Sequence, residues 1–161
     1  MAFDAFVEIN GIEGESTDSK YAGWIEVVFF GSNMSQTISS TASSAGGASA
    51  ERVDFDQFTF TKLLDKASPK LAQACAAGTH IDSIKIVLCR AGTEKVKFME
   101  YRLTNCIISS ITTTGGGQFP HETIGINFGK INWVYTQQNR KGGGATGNIA
   151  AGWDLQRNCS A

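Results

Sequence analysis

The stretch that most constrains the fold is Phe58 to His80, FTFTKLLDKASPKLAQACAAGTH, where an otherwise persistent period-two rhythm gives way to one helix. Ser68 reads as an N-cap whose hydroxyl accepts from a first-turn N–H, and Pro69 stands where no N–H is needed. Gly78 can take the left-handed conformation that ends a helix, so the pattern predicts a short helix over about 69–77. Leu71, Ala74 and Cys75 would share one face and Lys70, Gln73 and Ala77 the other. A helix of about 14 Å does not persist alone in water, and small residues on its inner face call for close packing on a sheet. Asp65 and Lys66, just upstream, read as a solvated turn.

The remainder reads as about seven or eight strands with their turns. Phe3 to Asn10 alternates Phe3, Ala5, Val7 and Ile9 against Asp4, Phe6 and Glu8, and residues 11–23 form a polar, glycine-punctuated loop. Trp24 to Phe30 is apolar on both faces, with Glu26 its only charge, so it is either sandwiched or meets another chain. Residues 31–52 change to Ser, Thr, Ala and Gly, and the segment of about 38–52 reads as a long extended loop ordered only by what packs on it. The apolar parity then switches across Asp56 and Gln57, and again across Gly129, and each switch predicts a bulge or bend of the kind that curves a sheet. Residues 84–89 and 95–103 read as a hairpin. Cys106 to Thr114 pairs with a return strand from Glu122 to Tyr135 across the Gly115–Gly117 turn. The segment 137–152 reads as loop, with Trp153 to Leu155 a short closing element. The expected architecture is mainly β: a small closed antiparallel β-barrel of two sheets with one short lateral helix and a long extended loop, in a single domain spanning 1–161.

With 161 residues the chain is long enough to bury roughly two thirds of its unfolded surface in one core. Fourteen basic side chains against fifteen acidic give no electrostatic footprint for nucleic acid or a polybasic membrane anchor. The N-terminal MAFDAFVEIN carries Asp4 and Glu8 where a signal peptide needs an apolar run, and no stretch approaches a membrane span. Cys75, Cys89, Cys106 and Cys159 have no metal-ligand spacing and read as reduced thiols, three of them in apolar segments.

No residue pattern points to catalysis, a cofactor or a metal. No serine sits in GxSxG, and neither Gly115–Gly117 nor Gly142–Gly144 opens a helix that could cradle phosphate. His80 reads as a partner of the helix C-terminal carbonyls and His121 as a turn residue, while Asp54 and Asp56 read as a solvated strand face.

Taken in order, GES at 14–16, GWIEV at 23–27, MSQ at 34–36, AERVDF at 50–55, FTKLLDKASPKLAQACAAGTH at 60–80, ISSI at 108–111, INFGKINWVYTQQ at 126–138 and GWDL at 152–155 resemble one family from end to end: the Hcp, or haemolysin-coregulated, tube proteins of bacterial type VI secretion systems. The resemblance implies a closed β-barrel with a lateral helix, assembled as hexameric rings that stack into an exported tube whose lumen holds small effector proteins. It implies spike and sheath components as further partners, manufacture in the bacterial cytoplasm, and export without a cleavable signal peptide. By the same resemblance Ser43, Ser44, Gly46 and Gly47 belong to a ring-stacking loop, and Phe30, Gly31 and Ser32 to a segment facing the lumen. The segment from Trp153 to the last residue, Ala161, leaves no room for a fused toxin domain, so no enzymatic activity is expected. Two other classes have residues to recommend them: a carbohydrate-binding β-sandwich, from Trp24, Trp133 and Trp153, and, more weakly, a hydrolase using His80 and a neighbouring serine.

Overall fold

A computed structural model describes residues 2–38, 50–139, 141 and 144–161. It is mainly β, with eleven strands and one helix among the described residues. In chain order the elements are β1 (Phe3–Ile9), β2 (Ile25–Val27), β3 (Phe29–Gly31), β4 (Met34–Ile38), β5 (Ala50–Phe55), β6 (Phe58–Leu63), α1 (Ser68–Ala77), β7 (His80–Arg90), β8 (Lys97–Thr114), β9 (His121–Gln138), β10 (Ala145–Asp154) and β11 (Cys159–Ser160).

One antiparallel sheet runs β11-β10-β9-β8-β7-β1-β2, and β6 attaches to β9 and carries β3 on its other edge. The 18-residue β9 serves two neighbours along one edge, β6 at residues 121–126 and β10 at residues 130–138. β2 and β3 are consecutive pieces of chain divided at Val28, whose N–H donates to the carbonyl of Thr61 at 2.8 Å. The circuit of ladders therefore passes through Val28, and a seam without a ladder lies between β2 and β6. The second sheet is a ribbon of β4 and β5 alone. The base of the extended loop is thus paired strand, and its centre at 39–49 lies outside the described residues.

The parity switch at Gly129 has its cause on the opposite strand. Leu103 and Ile131 face the core as partners, as do Ile108 and Ile126, yet the inward positions change from odd to even on β8 and from even to odd on β9. The change falls at Asn105, whose φ of 54° is left-handed, opposite Gly129. A Cβ at Gly129 would lie 3.2 Å from that of Asn105, so two side chains cannot share this kink in comfort. The switch at Asp56 and Gln57 separates β5, in the ribbon, from β6, in the barrel wall.

The inside of the barrel is aliphatic and aromatic, and Leu71 and Ala74 of α1 enter it together with Phe58, Phe60, Ile86 and Ile126. A second, smaller core lies outside the wall. Phe6, Val87 and Cys89 are covered by the loop that leads into β2, with Tyr21 stacked on Phe6 at 4.7 Å and Trp24 set edge-on to Tyr21. Lys95 lies over the Phe6 ring and bridges Asp4 at 2.7 Å and Asp18 at 2.9 Å, tying the loop to β1. β1 is thereby covered on both faces at Phe6, and not on one face as alternation predicts.

Two local expectations need correction. Residues 145–152, read as loop, are most of β10 and pair with β9 from Gln138 to Asn132; a run dominated by Ala, Gly and Asn has no alternation to reveal a strand. The helix cap is also different: α1 begins at Ser68, its N-cap is Ala67, and no side chain caps it. The Ser68 hydroxyl is occupied elsewhere. Gly78 closes the helix at φ 61° as expected, with Thr79 N–H donating to the carbonyl of Ala74.

Candidate functional site

The residues around the start of α1 form a buried charge cluster. Lys62, on the inward side of β6, has a fully buried side chain. Its ammonium donates to Asp65 Oδ1 at 2.8 Å, Ser68 Oγ at 2.8 Å and the carbonyl of Leu63 at 3.1 Å, and stands 2.9 Å from Glu122 Oε2. Ser68 in turn donates to Glu122 at 2.7 Å, and its oxygen accepts the N–H of Asp65. Burial by itself would raise the Glu122 carboxyl, but the Ser68 hydroxyl and the Lys62 ammonium outweigh it and hold the group below its ordinary value. Asp65 is therefore not the solvated turn residue its sequence context suggests. The cluster pins the start of α1 to β6 and β9.

On the opposite, outward side of these strands lies a surface of hydroxyls and amides. Thr61, Thr123 and Thr112 stand in register across β6, β9 and β8, and Thr59, Gly125 and Ser110 form the next row. The Thr61 and Thr123 hydroxyls are 3.0 Å apart. Ser110 donates to Gln57 Oε1 at 2.9 Å, and this bridge crosses directly over Gly125, where a Cβ would fall 1.9 Å from Gln57 Oε1. A side chain at this position would displace the Gln57–Ser110 bridge. Gly31, Ser32, Asn33, Gln57 and Thr59 continue the surface as an open hollow of about 760 Å³. Of the three residues the sequence assigns to a lumen-facing segment, Gly31 and Ser32 line this hollow. Phe30 does not, because alternate residues of a strand point to opposite sides: its ring stacks on Phe58 at 6.3 Å and packs against Tyr101 within the barrel. The exposed aromatic is its neighbour Phe29. The proposed stacking residues Ser43, Ser44, Gly46 and Gly47 lie outside the described residues.

His80 and His121 occupy the first positions of β7 and β9, and Asp54 and Asp56 are exposed. Among the described residues no three His, Cys, Asp or Glu side chains cluster as metal ligands. Cys89 and Cys106 are buried, and burial pushes the Cys106 thiol up to about 12, far from the thiolate form that reacts. The three tryptophans do not make a sugar-binding platform. Trp24 is half-buried beside Tyr21, whereas Trp133 and Trp153 are half-buried in a different place, beside Phe55 and Met34.

The barrel, its lateral helix and its paired arm can be compared with known proteins as a whole. The model for "Type VI secretion system effector, Hcp" matches residues 6–135, most of the chain. The chain belongs to the Hcp family. Its members are tube proteins of type VI secretion systems, and secretion by that machine is the family's setting. Protein hcp1 of Pseudomonas aeruginosa is 32% identical over 164 residues, covering 100% of both chains. A solved structure described as a type six secretion system protein superposes with a TM-score of 0.92 at 30% identity, over 99% of this chain and 100% of that one. Hcp1 from Salmonella typhimurium follows at 0.80 and 27%, with both chains covered completely. No described helix is long and apolar enough to cross a membrane.

Proposed function

We propose that this chain, as a single domain, forms hexameric rings that stack into the exported tube of a type VI secretion system. The observation that carries the reading is the end-to-end likeness to a secretion-system protein at a TM-score of 0.92. In this reading the protein works through its surfaces and performs no catalysis. The hydroxyl and amide surface that includes Gly31 and Ser32 faces the channel, where small effector proteins are held without charge-specific contacts. The loop containing Ser43, Ser44, Gly46 and Gly47 contributes to the contact between rings, and the ends of the tube meet spike and sheath components. The chain is made in the bacterial cytoplasm and leaves through the machine itself, without a cleaved signal peptide. Negative-stain electron microscopy with sedimentation velocity of the purified protein tests this: six-fold rings are the expected result. A protein that stays monomeric across a wide concentration range would overturn it.

A further inference from the structure

The loop between β1 and β2 is a compact body and not a slack connection. Its base is closed by backbone hydrogen bonds: Gly14 N–H donates to the carbonyl of Gly23 at 2.8 Å, Gly23 N–H to that of Ser16 at 2.8 Å, and Ser16 N–H to that of Trp24 at 3.0 Å. Within the tip, Asp18 Oδ1 accepts the N–H groups of Lys20 at 2.9 Å and Tyr21 at 3.3 Å, and Ser16 Oγ accepts the N–H of Asp18 at 3.2 Å. Residues 17–22 are therefore held in one shape by bonds of the loop's own, and not by the wall beneath them.

Among the described residues no backbone hydrogen bond joins residues 17–22 to the barrel. Side-chain contacts of two kinds hold the tip down. The Tyr21 ring lies on Phe6, and its hydroxyl accepts from the Cys89 thiol at 3.2 Å. Beside it stands Lys95, from the β7–β8 connection, which bridges Asp4 on the wall and Asp18 on the tip, while its carbonyl accepts the Lys20 ammonium at 3.2 Å. What lies beneath is small. Phe6, Val87 and Cys89, on the outward side of β1 and β7, form a cluster separate from the barrel interior. Lifting the tip uncovers these three side chains without opening that interior.

We infer that residues 17–22 are a lid, clasped shut by Lys95, that opens on its fixed base and exposes Phe6, Val87 and the Cys89 thiol while the barrel stays folded. The clasp is an ammonium shared between one carboxylate of the wall and one of the lid. Its side chain is 21% exposed and those of Asp4 and Asp18 are 39% and 14% exposed, so the pairs can part into water without stranding a bare charge. Lys62, whose side chain is completely buried, has no such escape. The chain thus holds two cationic ties of different character: one fixes α1 to the wall, and the other can let go. The lid belongs to the single chain and does not depend on the ring reading.

The test is alkylation of the full chain with N-ethylmaleimide, without denaturant and at one protein concentration, read at each cysteine by mass spectrometry of peptides. Cys106 is buried in the barrel interior and reports unfolding of the whole domain. Cys89, equally buried, should react at least about tenfold faster than Cys106, because opening the lid costs less than unfolding the chain. In Lys95→Met the Cys89 rate should rise by a further ~10-fold with Cys106 unchanged. Electrostatics would act the other way: burial raises the Cys89 thiol and Lys95 is among the groups that lower it, so losing the cation alone would slow the reaction. Equal rates at Cys89 and Cys106 in the parent protein would overturn the lid, whether or not the variant folds. A Lys95→Met chain whose Cys89 reacts no faster than the parent's, or in which both thiols quicken equally, would overturn Lys95 as its clasp.

Discussion

Replacing Lys62 with methionine removes the single cation of the cluster beneath α1 while keeping most of its volume. The ammonium is fully buried and has four oxygen neighbours between 2.8 and 3.1 Å. Without it, Glu122, 7% exposed at its side chain, is left beside Asp65 with no counter-charge. Breaking a buried pair by removing one partner costs about 3–5 kcal/mol, a large share of the ~5–15 kcal/mol that holds a domain folded. With a urea m-value of about 2 kcal/mol/M, the midpoint should fall by roughly 1.5–2.5 M, measured at fixed protein concentration because assembly stabilises the folded chain. The deficit should depend on pH in a defined direction. In the parent protein Glu122 titrates below its ordinary value, so its contribution is present at neutral pH and is lost as the pH falls through that lowered value. In Lys62→Met, burial remains and the opposing ammonium is gone, so the Glu122 value rises and protonation relieves the variant first. The gap between variant and parent should therefore be widest near pH 7 and narrow toward pH 4, and adding Glu122→Gln should recover at least half of the loss. A deficit below about 1 kcal/mol, or one equal at pH 4 and pH 7, would refute the claim that an uncompensated buried carboxylate is the cause.

Leu71→Ala should lower stability by about 2–5 kcal/mol, since Leu71 is completely buried where α1 meets the barrel; an unchanged denaturation midpoint would mean that the helix does not dock by this side chain. Deleting residues 42–49 should leave the far-ultraviolet spectrum and the ring intact and weaken the association of rings, read as shorter tubes in electron micrographs. Loss of the folded barrel on that deletion would count against an interface role for the arm.

Local chemistry made much of this fold legible. Ser-Pro at 68–69 and Gly78 mark the only helix among the described residues, because a ring without an N–H and a residue free to adopt a left-handed turn act at short range. The alternation of Ile84, Ile86 and Leu88, and the reversal at Gly129, report which side of a strand meets the core. The order of motifs along the chain was enough to indicate the family. What failed to show in sequence has a common physical reason: it depends on groups distant along the chain. Lys62 and Glu122 are sixty residues apart, and only the pairing of β6 with β9 places them side by side beneath α1. Ser68 has the look of a cap, but the same pairing draws its hydroxyl into that cluster. β10 has no pattern of its own and is a strand because β9 offers it an edge. Phe30 and Phe29 are indistinguishable by type, and only the pairing of β3 with β6 decides that one ring packs inside the barrel and the other is exposed.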